Sequence, residues 1–232
     1  VTITEKGYIK RLDLQQYKEQ KRGGKGVIGS DLTEGDFVRE LLMCNTHDYM
    51  LFFTDKGKVH WLKAYEVPAS AKSTKGKAII NLLELKDEKV TSVIAVKEFK
   101  DYLMMVTEKG VIKKIELSQF SNPRKGGIKA IKVTETADTL IGVKPLKENQ
   151  EVLLVTQKGQ AIRFKSGDVR SMGRASYGVT GIKMAKEDKV VSLEVLPLKD
   201  ASSFSILTIT RKGYGKRSEI EDYRLTGRAG KG

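Results

Sequence analysis

Seven consecutive residues, Gln20-Lys21-Arg22-Gly23-Gly24-Lys25-Gly26, set three cations and three glycines side by side. Glycine admits backbone conformations that a Cβ forbids and lets a ligand approach the main chain. Lysine and arginine add positive charge on long stems. The chemistry this suits is contact with a phosphate backbone. Weaker versions recur at Lys72-Ser73-Thr74-Lys75-Gly76-Lys77, Arg124-Lys125-Gly126-Gly127, Gly173-Arg174-Ala175-Ser176-Tyr177-Gly178 and Gly227-Arg228-Ala229-Gly230-Lys231-Gly232. One such loop alone reads equally well as a solvated turn. Recurrence along the chain is what points to a shared polyanionic ligand.

The rest of the composition agrees. A net charge of +14 over 232 residues favours nucleic acid, an anionic membrane or an acidic protein as partner. No apolar run approaches a membrane span of about 18 residues, and no signal peptide opens the chain. The single cysteine, Cys44, excludes an internal disulfide; within Leu41-Leu42-Met43-Cys44 it reads as a core residue in a reducing compartment. Catalytic patterns are missing. His47 and His60 have no cysteine partners for zinc, and there is no Gly-x-Ser-x-Gly elbow or Walker-type phosphate loop. Gly24-Lys25-Gly26-Val27-Ile28-Gly29 matches the letters of a dinucleotide fingerprint, but it follows a polar stretch and no helix opens from it. The expectation is no catalytic residue, no metal and no cofactor in this chain.

The elements that must position the loops are repeats. Thr-x-Lys-Gly occurs at Thr4-Glu5-Lys6-Gly7, Thr54-Asp55-Lys56-Gly57, Thr107-Glu108-Lys109-Gly110, Thr156-Gln157-Lys158-Gly159 and Thr210-Arg211-Lys212-Gly213, about 50 residues apart. An apolar run such as Met50-Leu51-Phe52-Phe53 or Val152-Leu153-Leu154-Val155 precedes each of the last four copies. A second short strand follows each glycine. Strand, glycine turn, strand is a β-hairpin, with positive φ expected at the glycine. About ten residues further on stands an anchor for a short helical turn: Tyr17, Val67, Phe120, Val169 or Tyr223. The basic loop comes next. Two more strands, such as Ala78–Leu82 and Val90–Val96, then close a four-stranded unit. A chain of such units is an all-β, propeller-like disc forming a single domain over 1–232. Because it starts at Val1 and stops inside the fifth basic loop, it reads as a C-terminally incomplete fragment.

Residues three and four beyond each hairpin glycine are mostly cationic: Lys10-Arg11, His60-Trp61, Lys113-Lys114, Ile162-Arg163 and Lys216-Arg217. Neighbours on a strand face opposite ways, so one of each pair is expected on an outer face. Trp61 is expected to be half-buried packing. With Lys72, Lys75, Lys77, Arg124, Lys125, Arg174, Arg228 and Lys231 of the loops, these cations predict a basic belt. A belt suits a bent duplex held by its backbone.

Gln20-Lys21-Arg22-Gly23-Gly24-Lys25-Gly26 resembles the signature box of the gyrase A C-terminal domain, usually Gln-Arg-Arg-Gly-Gly-Lys-Gly. Lys21 keeps the charge but lacks the bidentate fork of arginine. The resemblance runs on through Tyr8-Ile9-Lys10-Arg11, Asn81-Leu82-Leu83-Glu84, Arg170-Ser171-Met172-Gly173-Arg174 and Gly213-Tyr214-Gly215-Lys216-Arg217. It implies a β-pinwheel, usually of six four-stranded blades that exchange strands. It implies a domain that wraps double-stranded DNA with positive handedness, so that a DNA gyrase holoenzyme of two A and two B subunits introduces negative supercoils. Catalytic tyrosine, ATP and magnesium sites would lie in other domains. The protein would be cytoplasmic, on chromosomal DNA. The related topoisomerase IV domain, which wraps less, and a repeat scaffold for an acidic protein are the alternatives.

Overall fold

The computed structural model describes residues 1–14, 32, 34–133, 137–197 and 204–232. Nearly all regular structure is antiparallel β. Each repeat begins with a hairpin: β1 (Thr2–Thr4) and β2 (Tyr8–Lys10), β4 (Tyr49–Thr54) and β5 (Lys58–Lys63), β8 (Tyr102–Thr107) and β9 (Val111–Glu116), β12 (Glu151–Thr156) and β13 (Ala161–Lys165), β16 (Ser205–Ile209) and β17 (Gly215–Glu219). The glycine of every Thr-x-Lys-Gly turn has positive φ: +81° at Gly7, +73° at Gly57, +81° at Gly110, +86° at Gly159 and +85° at Gly213. The threonine explains its own recurrence. Its carbonyl accepts the glycine amide at 2.9–3.0 Å in all five turns. Its Oγ1 accepts the next amide, that of Tyr8, Lys58, Val111, Gln160 or Tyr214, at 3.1–3.2 Å.

A third strand pairs with the first of each hairpin: β3 (Val38–Leu41), β7 (Val90–Val96), β11 (Leu140–Leu146) and β15 (Val190–Leu196). The fourth is borrowed. Strand β6 (Lys77–Ala78) follows the second hairpin but pairs with β2, as Tyr8↔Ala78 and Ile9↔Lys77. In the same way β10 (Ile128–Lys129) pairs with β5, and β14 (Val179–Thr180) pairs with β9. The sheets therefore hold four, four, four, three and two described strands. This corrects the expectation that each unit supplies its own four strands. It also corrects the strand expected over Ala78–Leu82. Only Lys77–Ala78 is extended there, and Ile80–Leu83 forms one turn of α-helix that buries Leu83.

The core lies between blades, not within them. Along β4, Met50 and Phe52 pack toward the first blade, while Leu51 and Phe53 pack toward the third. Along β8, Leu103 and Met105 face back, and Met104 and Val106 face forward. Hence the central strands are apolar on both faces and read as unbroken runs. Four of the expected anchors are in place: Val67, Phe120 and Val169 are buried at the ends of 3-10 turns, and Tyr223 is half-buried, while Tyr17 lies outside the described residues. Leu41 to Cys44 departs from expectation. Leu41 and Met43 are exposed, while Leu42 and Cys44 pack only partly against the core.

Candidate nucleic-acid interface

The second strand of each of the first four hairpins grips the following repeat. Four residues beyond the hairpin glycine, the side chains of the first, second and fourth repeats reach the next anchor turn. Arg11 Nε donates to the Val67 carbonyl at 3.2 Å. Trp61 Nε1 donates to the Phe120 carbonyl at 2.9 Å. Arg163 donates to the carbonyls of Ile220 (2.8 Å) and Tyr223 (3.0 Å) and to Glu151 (2.6 Å). Lys114 is buried and instead lies 4.2 Å above the ring of Tyr102 in its own hairpin.

Three residues beyond the glycine, the side chain runs beneath the next basic loop. Lys10 is 1% exposed, and its Nζ donates to the carbonyls of Lys72 (2.6 Å), Thr74 (2.8 Å) and Ala71 (3.5 Å). Lys113 is 0% exposed and donates to Ala130 (2.7 Å), Arg174 (2.8 Å) and Ser176 (3.3 Å). Burial lowers the pKa of Lys10 and takes that of Lys113 down to about 8. In the second repeat His60 takes this place, with Gly127 close enough that a Cβ there would lie 2.8 Å from its ring. His60 Nε2 lies 3.8 Å from Glu88, a buried carboxylate that also accepts bonds from Thr54 (2.8 Å) and Lys58 (2.5 Å). Burial pushes His60 down. Burial also pushes Glu88 up, but the Lys58 and Thr54 bonds outweigh it and hold the carboxyl low. In the fourth repeat the place belongs to Ile162.

These contacts correct the outer-face expectation for the post-hairpin cations. Lys10, Lys113 and Lys114 are buried, and Arg11 and Arg163 hold the next anchor turn. The reason is strand exchange: the loop leading to β6, β10 or β14 lies over the strand that sequence alone leaves open. Only Lys216 and Arg217, on β17, are exposed.

The loops themselves present cations. Lys77, Arg124, Lys125 and Lys231 are exposed, and Lys72, Arg174 and Arg228 are half-exposed. Lys75 Nζ sits 3.8 Å above the Tyr8 ring. Arg228 donates to the carbonyls of Asp168 (2.9 Å) and Thr180 (3.1 Å), tying the fifth loop to β14. Arg124 and Arg174, from successive loops, line one shallow recess with Lys129. Lys129 is not singled out by the sequence, although it follows its loop glycine much as Lys77 does. Gln20, Lys21, Arg22, Gly23, Gly24, Lys25 and Gly26 lie outside the described residues.

Sequence reasoning also missed a structural role for the acidic turns. Asp36, Asp138 and Asp188 accept the amides of Lys6, Lys109 and Lys158, each 29 or 30 residues upstream, at 3.0 Å. The constant spacing was the available signal.

Known proteins share these repeats and this backbone arrangement. A family model described as "DNA gyrase C-terminal domain, beta-propeller" matches residues 1–45, 48–97, 101–147, 150–197 and 205–232. The chain belongs to this family. It is 44% identical over 239 residues to the DNA gyrase A protein of Haloquadratum walsbyi, covering 100% of this chain and 28% of that protein. With the DNA gyrase A protein of Salmonella typhimurium, identity is 40% over 235 residues, covering 100% of this chain and 26% of that protein. The chain thus spans about a quarter of the length of these curated relatives. A solved DNA gyrase A C-terminal domain superposes with a TM-score of 0.79 at 31% identity, covering 100% of this chain and 74% of that one. A DNA topoisomerase IV C-terminal domain gives 0.80 at 28%, covering 100% and 70%.

Proposed function

We propose that this gyrase-family domain binds duplex DNA along its loop-bearing edge and wraps it with positive handedness. The observation that carries the reading is the repeated junction: in successive blades a basic loop runs over the preceding hairpin and delivers an exchanged strand to it. The cations therefore recur in one place per blade. Such an array suits phosphates read without regard to sequence. Bending 20–30 base pairs costs about 1–6 kcal/mol, which several loops contacting phosphate together offset. Within a longer polypeptide, the wrapped segment would be handed to strand passage. DNA cleavage would belong to other domains, and ATP hydrolysis to the gyrase B protein.

The topoisomerase IV likeness supports a second reading, DNA binding with little wrapping, because the backbone match is as good. The box at Gln20–Gly26 favours the first. Duplex length tests both against an acidic-protein scaffold. Wrapping predicts affinity that climbs with length from about 20 to 150 base pairs and falls steeply with salt. Affinity independent of duplex length would remove the wrapping reading. Replacing Lys21, Arg22 and Lys25 together by glutamine should abolish wrapping and leave much of the general binding.

A further inference from the structure

Lys10 and Lys113 are a puzzle as core residues. A buried ammonium is costly unless every proton finds an acceptor, and Ile162 shows that an apolar side chain fits the same register. What the lysines provide instead is geometry. Each ammonium has three donors and meets three carbonyls: for Lys10 all three lie on the next basic loop, and for Lys113 two do, the third being that of Ala130 just past β10. Two of those carbonyls belong to Lys72 and Arg174, the residues whose side chains the DNA reading places toward phosphate. Each clasp crosses a repeat boundary, over 61 residues from Lys113 to Arg174 and 62 from Lys10 to Lys72.

We propose that Lys10 and Lys113 are positioning residues for DNA wrapping: each pins the backbone of the next repeat's basic loop from beneath, so that the loop's own cations meet the phosphate path. The proposal rests on the DNA-binding reading above. The ammoniums themselves touch no DNA. Without them, three carbonyl oxygens would converge with no donor between them and push the loop open.

The test compares the purified chain with Lys113→Met, and with Lys100→Gln as a control that removes an exposed charge paired to Glu98. Amide exchange at Arg174 and Ser176 is measured without DNA, and the salt dependence of binding to a long duplex with it. Lys113→Met should speed exchange at these amides about tenfold. It should lower the slope of log affinity against log salt by about 1, although the lost charge is buried. Lys100→Gln should change neither. Lys113→Cys in a Cys44→Ser background, aminoethylated while unfolded and then refolded, restores the ammonium and should restore both readouts. Should Lys113→Met not fold, Lys10→Met is read at Thr74 in the same way. Unchanged exchange and an unchanged slope would overturn the proposal and leave Lys113 a core filler. Faster exchange in a chain whose wild type ignores duplex length would remove the DNA reading and keep the clasp as a structural device.

Discussion

The junctions between blades come in two kinds. From the first repeat to the second, and from the third to the fourth, a buried lysine ties down the arriving loop, through three of its carbonyls in the first case and two in the second. From the second to the third, and from the fourth to the fifth, histidine or isoleucine stands there instead, and the latch four residues past the glycine carries more of the attachment. The same backbone thus joins its repeats by a charged clasp or by packing plus a latch. A repeat fold tolerates this because each blade answers only to its neighbours.

The largest expected effect comes from removing a latch where no clasp assists. Arg163→Ala leaves Glu151 and two carbonyls without their donor in a mostly buried place. Urea unfolding should show a loss of about 3 kcal/mol. Arg11→Ala, at a clasped junction and with one carbonyl bond, should cost about 1 kcal/mol. Equal losses would erase the distinction.

Loop seating gives the next test. Gly178 has φ +103°, and a Cβ there would lie 2.7 Å from the Ile112 carbonyl oxygen. Gly159 has φ +86° with open space around it. Gly159→Ala should cost about 1–2 kcal/mol from backbone strain alone. Gly178→Ala should cost about 1 kcal/mol more, from the added clash, in the same assay.

The two kinds of junction should also titrate on opposite sides of neutrality. Lys113 has a folded pKa of about 8, below its ordinary 10.5. Across that interval the unfolded chain binds more protons, so this group makes folding more favourable as pH rises from 8 to 10.5. His60, flanked by Glu88 and Lys58, is pushed below 6.5 by burial, so its contribution is lost as pH falls below that value. Melting temperatures of wild type against Lys113→Met and His60→Gln, from about pH 5 to 10, check both signs. The smallest expected effect is Trp61→Phe, which removes one hydrogen bond to Phe120 but keeps the ring's packing, and should cost about 0.5 kcal/mol on thermal unfolding.

Much of this architecture was legible in the sequence because hairpins are local. Thr, Gly and the flanking apolar runs carry their turn chemistry within a few residues. The anchors Val67, Phe120 and Val169 were visible for the same reason. The fate of Lys10 and Lys113 was not. Nothing local shows that the strand after one hairpin is covered by a loop about 60 residues away, so alternation alone places buried lysines on an outer face. Ala78–Leu82 reads as strand from sequence, although Ile80–Leu83 is a helical turn, because so short a run of apolar and polar residues fits either period.

The proposed chiral wrap imposed by the basic loops together can be read topologically. A nicked plasmid is ligated in the presence of increasing amounts of the chain, the protein is removed, and the linking number is read on a gel. Wrapping with positive handedness gives a positive shift that grows with protein concentration. Binding that leaves the linking number unchanged would contradict it.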